Sequence, residues 1–287
     1  FTEEFLAYRG PRVFYCCEPS FYFLGLRGVK RELRRRLASL RMDEFAWHYH
    51  PDPGMRVVHI SSIGPDGNVI KSSANRERKS STIISNLGRP VFRNHGRQAR
   101  LEFIIKSECD IFGSKTAWSK FQLNLFSNSG SPKTYRGECG SNKKLETIAN
   151  YHACICLENS SEPFYFTEKF PDAVRAGCVP IYHAHSSVKS AFLEGAVWVD
   201  PADYSFDAKA TIEAALSKDR EAVALINLQW LRTLPKFLET TFENVYLRLA
   251  DILKKKVSGE IKIPDSAHRD HLPDEYRVLT GVEEWIA

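Results

Sequence analysis

The sequence predicts an α/β fold built on a parallel sheet, from three observations. Strand-like runs alternate with helical segments from residue 81 onward, the order that parallel strands with crossover helices produce. Residues 152–157 and 179–182 are apolar without alternation, as strands buried on both faces are. Gly177 follows a helical segment at the position where a left-handed residue closes a helix.

In chain order, Gly10-Pro11 is a turn signal that precedes a strand at 13–15. Lys30, Arg31, Arg34, Arg35, Arg36 and Arg41 follow, with Leu33, Leu37 and Leu40 at i, i+4, i+7. This spacing predicts a basic amphipathic helix over 30–41. Its basic side reads as a solvated face, with contact to an anionic membrane surface as the alternative. Pro53-Gly54 introduces a strand at 56–61, and the polar, turn-rich stretch 64–80 marks a domain boundary. The predicted division is 1–78, 79–256 and a tail at 257–287. Within the second part, strands are expected at 81–85, 109–112 (ending at Gly113), 152–157, 179–182 and 197–199. Helices are expected at 95–106, 144–150 and 167–176. After about residue 207 the chain turns helical, with an apolar stripe through Val223, Ile226, Trp230 and Leu231 that Pro235 interrupts.

Composition narrows the function classes. Of 287 residues, 43% are hydrophobic and 26% charged, which excludes a mostly disordered chain. No apolar run approaches the roughly 18 residues of a membrane span. The net charge of +5 suits phosphorylated small molecules and does not demand nucleic acid. Seven cysteines without a Cys-x-x-Cys indicate neither a disulfide framework nor a zinc ribbon. Cys154 and Cys156 read as small core residues, and the expected setting is cytoplasmic or peripheral to a membrane. The chain begins at Phe1, which reads as a piece of a longer protein; an upstream anchor would place it in the Golgi lumen instead.

The densest cluster of polar chemistry is Glu158-Asn159-Ser160 followed by Tyr165-Phe166-Thr167-Glu168-Lys169. It lies between a buried strand and the next helix, the edge of an open α/β sheet where ligands bind. Thr167 reads as the helix cap. The helix start and Lys169 suit a diphosphate, while Glu158 and Glu168 can accept from sugar or ribose hydroxyls. The residues alone fit a capped helix with solvated charges equally well.

Glu158-Asn159-Ser160, Tyr165 through Lys169, and then Ala176-Gly177-Cys178-Val179-Pro180-Ile181-Tyr182 resemble the donor-site signature of the α-1,3/4-fucosyltransferases, glycosyltransferase family 10. Ser187-Val188, Phe192, Val199-Asp200 and Tyr204 continue the likeness. Upstream, Ser85-Asn86, Arg97 and Asp110-Ile111-Phe112-Gly113 also fit. Residues 12–18 are similar to the strand of bacterial members that ends in a catalytic glutamate, here Glu18. The family's Trp-Gly after Pro-Ile-Tyr is His183-Ala184 in this chain, and the family's C-terminal cysteine pairs have no counterpart after Cys178.

The resemblance implies a GT-B architecture, two Rossmann-like domains facing a cleft, with a short N-terminal domain. It implies transfer of fucose from GDP-fucose to a saccharide hydroxyl with inversion. Glu18 would act as base, and Arg97, Glu158, Asn159, Tyr165, Glu168 and Lys169 would bind the donor. No cofactor beyond the donor is implied. The sequence contains no Asp-x-Asp, so side-chain cations would neutralise the leaving diphosphate. For Glu18 the other reading is a surface glutamate before Pro19. Two alternatives stand for the whole: another nucleotide sugar on the same fold, or a binding module without turnover. His48-x-His50 and His183-x-His185 each place two imidazoles on one strand face, without an evident third metal ligand. His48 and His50, with Trp47 and Tyr49, read as an acceptor surface or as core.

Overall fold

A computed structural model of the chain describes residues 4, 7–8, 13–15, 44–46, 77–84, 95–113, 133–140, 143–158, 165–234 and 242–260. The expected helix at 30–41, the strand at 56–61, the tail beyond 260, the pair His48 and His50, Glu18 and Asn159 lie outside these residues.

Two parallel strands, β1 (Val13–Tyr15) and β2 (Glu44–Ala46), form one small sheet. The larger sheet has five parallel strands: β3 (Glu77–Ile84), β4 (Asp110–Gly113), β5 (Tyr135–Gly137), β6 (Tyr151–Ile155) and β7 (Val179–Ile181). Their spatial order is β5-β4-β3-β6-β7. Counted from β3 this is 3-2-1-4-5, the doubly wound order, and it reverses between β3 and β6. The expected strand at 197–199 is reduced to a single bridge, Ile181 to Val199.

Helices cover both faces. They are α1 (His95–Lys106), α2 (Lys144–Ile148), α3 (Lys169–Arg175), α4 (Ser186–Phe192), α5 (Ala208–Ser217), α6 (Arg220–Thr233) and α7 (Phe242–Val257). β6 shows why its sequence lacks alternation. Ala153, Ile155 and Leu157 enter a core with Phe103 and Ile104 of α1 and Ala208 and Ala215 of α5. Cys154 and Cys156 enter the opposite core with Phe170, Val174, Val188 and Trp230 of α3, α4 and α6. Burial pushes the Cys154 and Cys156 thiols well above their ordinary range, so both are inert packing residues.

The helix ends follow local chemistry. Gly177 takes φ +65°, its N–H bonds Val174 O, and the Cys178 N–H bonds Ala173 O. This is the paired closure that a left-handed residue after a helix allows. Asp219 caps α6 through the Glu221 and Ala222 amides. The helix stops at Leu234, which is extended as the residue before proline must be. The expected stripe on α6 is shifted: Ile226 is exposed, whereas Asn227 is buried and bonds both the amide and the carbonyl of Val197. At the carboxyl end of β4, a Cβ on Gly113 would lie 1.9 Å from Ile84 O, so only glycine lets β3 and β4 close here.

Candidate functional site

The reversal between β3 and β6 opens a crevice at the carboxyl ends of these strands. Glu158 lies three residues beyond β6 on that edge. Its side chain is 1% exposed, and four donor groups from two further segments converge on it. The Thr167 amide bonds Oε1 at 2.9 Å, and the Thr167 hydroxyl is 2.8 Å from both oxygens. Lys169 Nζ donates to Oε2 at 3.0 Å and the Tyr182 hydroxyl donates to Oε1 at 3.0 Å. Burial, then the Glu158 carboxylate, pushes the Tyr182 phenol well above its ordinary range, so it remains a donor at neutral pH. Glu158 therefore ties the end of β6, the approach to α3 and the end of β7 into one unit.

An aromatic cluster braces the unit from below. Phe170 packs on Tyr182 and Trp230 with ring centroids 5.0 and 5.1 Å apart, Phe166 stacks on Phe192 at 5.4 Å, and the Trp230 indole bonds Phe192 O. Edge-to-face pairs of this kind fix ring orientation as well as burying area.

Lys169 is the first residue of α3. Besides Glu158 it bonds the Thr167 hydroxyl at 2.8 Å, and its side chain keeps 17% of its exposure. The expectation that Thr167 caps α3 is corrected. Glu168 occupies the cap position in helical conformation without a side-chain bond, and the Thr167 hydroxyl is 3.5 Å from the Lys169 amide. The hydroxyl donates to the Glu158 carboxylate, and its oxygen takes the Lys169 ammonium at 2.8 Å in preference to the backbone amide, since charge-assisted bonds are roughly twice as strong as neutral ones.

Glu168, half-buried, faces Lys144 of α2, whose Nζ is 3.6 Å from Glu168 Oε1 and 2.5 Å from Asp172 Oδ2. Burial alone would lower Lys144, but the Asp172 and Glu168 carboxylates outweigh it and raise its pKa. Tyr165 is 4% exposed. Arg97 lies in the first turn of α1, whose last residue, Lys106, is joined to the start of β4 by a turn of three residues. The twelve-residue helix spans about 18 Å, so its first turn stands toward the carboxyl edge. Glu18 and Asn159 lie outside the described residues.

Neither histidine of the 183/185 pair is on a strand. His183 Nδ1 is 2.8 Å from Asp200 Oδ1, and His185 caps α4 at the Ser187 amide. Asp200 also takes Lys189 Nζ at 2.6 Å and the Ala202 amide at 2.9 Å. Burial pushes its carboxyl up, but these three donors outweigh that and hold it at about 2. A folded-state pKa below the ordinary 3.8 stabilises the fold above about pH 4 and loses that contribution as pH falls toward 2. Asp200→Asn is expected to cost about 1–2 kcal/mol at pH 7, a figure discounted because Lys189 is partly exposed. In urea unfolding, the gap between parent and variant should narrow as pH falls from about 4; a gap independent of pH would contradict the assignment.

Among the described residues, no three His, Cys, Asp or Glu side chains form a metal-holding group. Also among them, no helix is long and apolar enough to cross a membrane. Nothing in the sequence alone singles out Lys144, Asp172 or the role of Tyr182. Lys144 and Tyr182 lie 14 residues before and 24 after Glu158, and no spacing rule joins them; strand order does.

No family model and no curated protein matches the sequence. Similar solved structures include an alpha1,3-fucosyltransferase with GDP, at 19% identity over 71% of this chain and 51% of that one, TM-score 0.38. The alpha1,3-fucosyltransferase with GDP-fucose is 16% identical over 91% of this chain and 77% of that one, TM-score 0.46. AviGT4, a glycosyltransferase involved in avilamycin A biosynthesis, is 12% identical over 80% of this chain and 78% of that one, TM-score 0.39. The chain thus spans about half of the first and about three quarters of the other two. The doubly wound assignment rests on the strand order.

Proposed function

We propose that the chain is a GT-B glycosyltransferase that moves fucose from GDP-fucose to a saccharide hydroxyl, inverting and without a metal. One observation carries the reading: the Glu158–Thr167–Lys169–Tyr182 cluster stands at the carboxyl edge of the sheet, at its switch point, within the sequence motif that resembles the fucosyltransferase donor site. In this reading the part that carries the five-stranded sheet, expected at 79–256 and beginning with β3 at Glu77, holds the donor, and the residues before it face the acceptor.

Lys169 offers three N–H donors. Glu158 and Thr167 take two, and the third serves the diphosphate. Glu158 contributes to donor binding through Lys169, because its own oxygens are already engaged by Thr167, Lys169 and Tyr182. Charge bookkeeping points to a further cation. Lys144 and Lys169 against Glu158, Glu168 and Asp172 give two positive charges and three negative, so the cluster alone does not neutralise a diphosphate. Arg97, from the first turn of α1, supplies one further positive charge. Glu168, Tyr165 and Asn159 contact the nucleotide and sugar. Glu18 takes the proton of the acceptor hydroxyl as that oxygen attacks the anomeric carbon, and the bond to the diphosphate breaks on the opposite face.

The test is a panel of GDP- and UDP-sugars read by melting temperature and, with saccharide acceptors, by nucleotide release in excess EDTA. GDP-fucose at about a hundredfold its Kd should stabilise the fold by about 2.7 kcal/mol, and release should persist with chelator. Stabilisation by a UDP-sugar instead would move the chain to a different donor. Binding of GDP-fucose without release for any acceptor would make it a binding module. No stabilisation by any nucleotide sugar would overturn the reading.

A further inference from the structure

We propose that Phe206 and His183 form the two walls of a sugar-binding corner, in which the phenyl ring packs on the C–H face of a pyranose and His183 Nε2 bonds one of its hydroxyls. This rests on the glycosyl-transfer reading above, and the pyranose is that of the donor or that of the acceptor.

Two consecutive residues other than glycine, Ser205 and Phe206, hold left-handed backbone, at φ 51° and 57°. A Cβ makes this region costly, and for a bulky side chain it is an outlier. Such strain persists only where the surroundings over-determine it. Here they do so from both ends. Asp200 caps a single 3₁₀ turn, Pro201–Tyr204, through the Ala202 amide, and Asp207 caps α5 through the Ala210 amide. The Phe206 amide bonds Pro201 O at 2.8 Å and the Asp207 amide bonds Tyr204 O at 2.9 Å. The strain does not serve the core, because Phe206 is 52% exposed. It fixes a phenyl ring at the surface against His183, with centroids 5.0 Å apart and planes at 80°.

Asp200 fixes the second wall as well. A carboxylate only accepts, so His183 Nδ1 carries the hydrogen in its 2.8 Å contact with Oδ1. Lys189 holds Oδ2, which keeps the carboxylate from turning away. In the neutral ring this leaves Nε2 as an acceptor, with no hydrogen-bond partner among the described residues, on a side chain that keeps 29% of its exposure. His183 directly follows Tyr182, whose hydroxyl bonds Glu158, so the corner stands at the carboxyl end of β7, on the edge that carries the Glu158 cluster. The corner offers one apolar face and one directed hydrogen bond. A purely apolar ligand would leave Nε2 unused, and a simple ion would leave the phenyl ring unused. A pyranose presents both complements, a C–H face and a rim of hydroxyls.

The test is isothermal calorimetry of the full chain with GDP, with GDP-fucose, and with lactose in the presence of saturating GDP. Phe206→Gly removes the ring and relaxes the left-handed backbone, so it should unfold at or above the parental temperature. It should lower sugar affinity by roughly 10-fold, the effect of uncovering about 60 Å² of apolar surface. His183→Asn keeps an N–H for Asp200 and lacks Nε2, and should cost roughly 2–12-fold, the range for one hydrogen bond. Affinity for GDP itself should stay parental in both. A loss confined to the gain of GDP-fucose over GDP puts the donor sugar in the corner; a loss confined to lactose puts the acceptor there. If Phe206→Gly unfolds below the parent, His183→Asn decides alone. Variants that match the parent in both sugar measurements overturn the inference. So does a parent in which GDP-fucose gains nothing over GDP and lactose does not bind, although GDP binding would leave the nucleotide reading standing. A loss of affinity for GDP itself would set the base, not a sugar, against Phe206 and overturn the inference as well.

Discussion

Glu158→Ala is expected to destabilise the fold by about 3–5 kcal/mol, the range for removing one partner of a buried ion pair. The substitution leaves the Lys169 ammonium, the Thr167 amide and the Tyr182 hydroxyl without their shared acceptor. Tyr182 is fully buried, and an unsatisfied buried hydroxyl costs about 1–3 kcal/mol by itself. For a domain of this size each kcal/mol moves Tm by about 2–4 °C, so thermal unfolding should shift down by roughly 6–20 °C. Glu158→Gln retains one carbonyl acceptor and should fall between parent and alanine. Adding Lys169→Met to Glu158→Ala removes the unpaired charge and should recover part of the loss. A shift of under about 1 °C for Glu158→Ala would mean that the cluster contributes nothing to the fold.

Glu18→Gln is expected to lower transfer by about 10²–10⁴-fold, the usual contribution of a positioned general base. Glutamine keeps the shape and hydrogen-bonding capacity of the side chain and cannot take a proton at neutral pH. GDP affinity should barely change, because the donor is assigned to the other part of the chain. The parent's rate should fall on the acid side as one carboxylate protonates, and the variant should lack that limb. Near-parental turnover would make Glu18 structural. A parallel loss of GDP affinity would point to disruption of the N-terminal part, and the base would then be sought at Asp43 or Glu44.

Much of the sheet was legible because strong local patterns set it. The apolar run around β6, the α1 segment at 95–106 and the glycine closure at Gly177 each carry their signal within a few residues. β5 carried none: Tyr135-Arg136-Gly137 is short and polar, and it is a strand because Ile111 and Phe112 of β4 offer it an edge. Ile226, expected in the buried stripe, is exposed, and Asn227 is buried beside it, because the stripe is read from apolar residues alone. Asn227 is buried by the two backbone groups of Val197 that it satisfies. The same limit governed the site. Glu158, Glu168 and Lys169 stood out as a motif, but their connections run to Tyr182 and Lys144, which only the order of strands and helices brings near. Thr167 reads as a cap in the sequence because the capping rule weighs only backbone amides as donors to the hydroxyl oxygen, whereas the Lys169 ammonium takes that oxygen and the hydroxyl itself donates to Glu158.

The most direct test of the account is calorimetric titration of GDP into the parent, Lys169→Ala and Arg97→Ala. Both cations serve the diphosphate in the proposed site, so each variant should bind roughly 10–150-fold more weakly than the parent, with Arg97→Ala unfolding at the parental temperature. Affinity for GDP unchanged in both variants would place the nucleotide elsewhere on the chain and contradict the site.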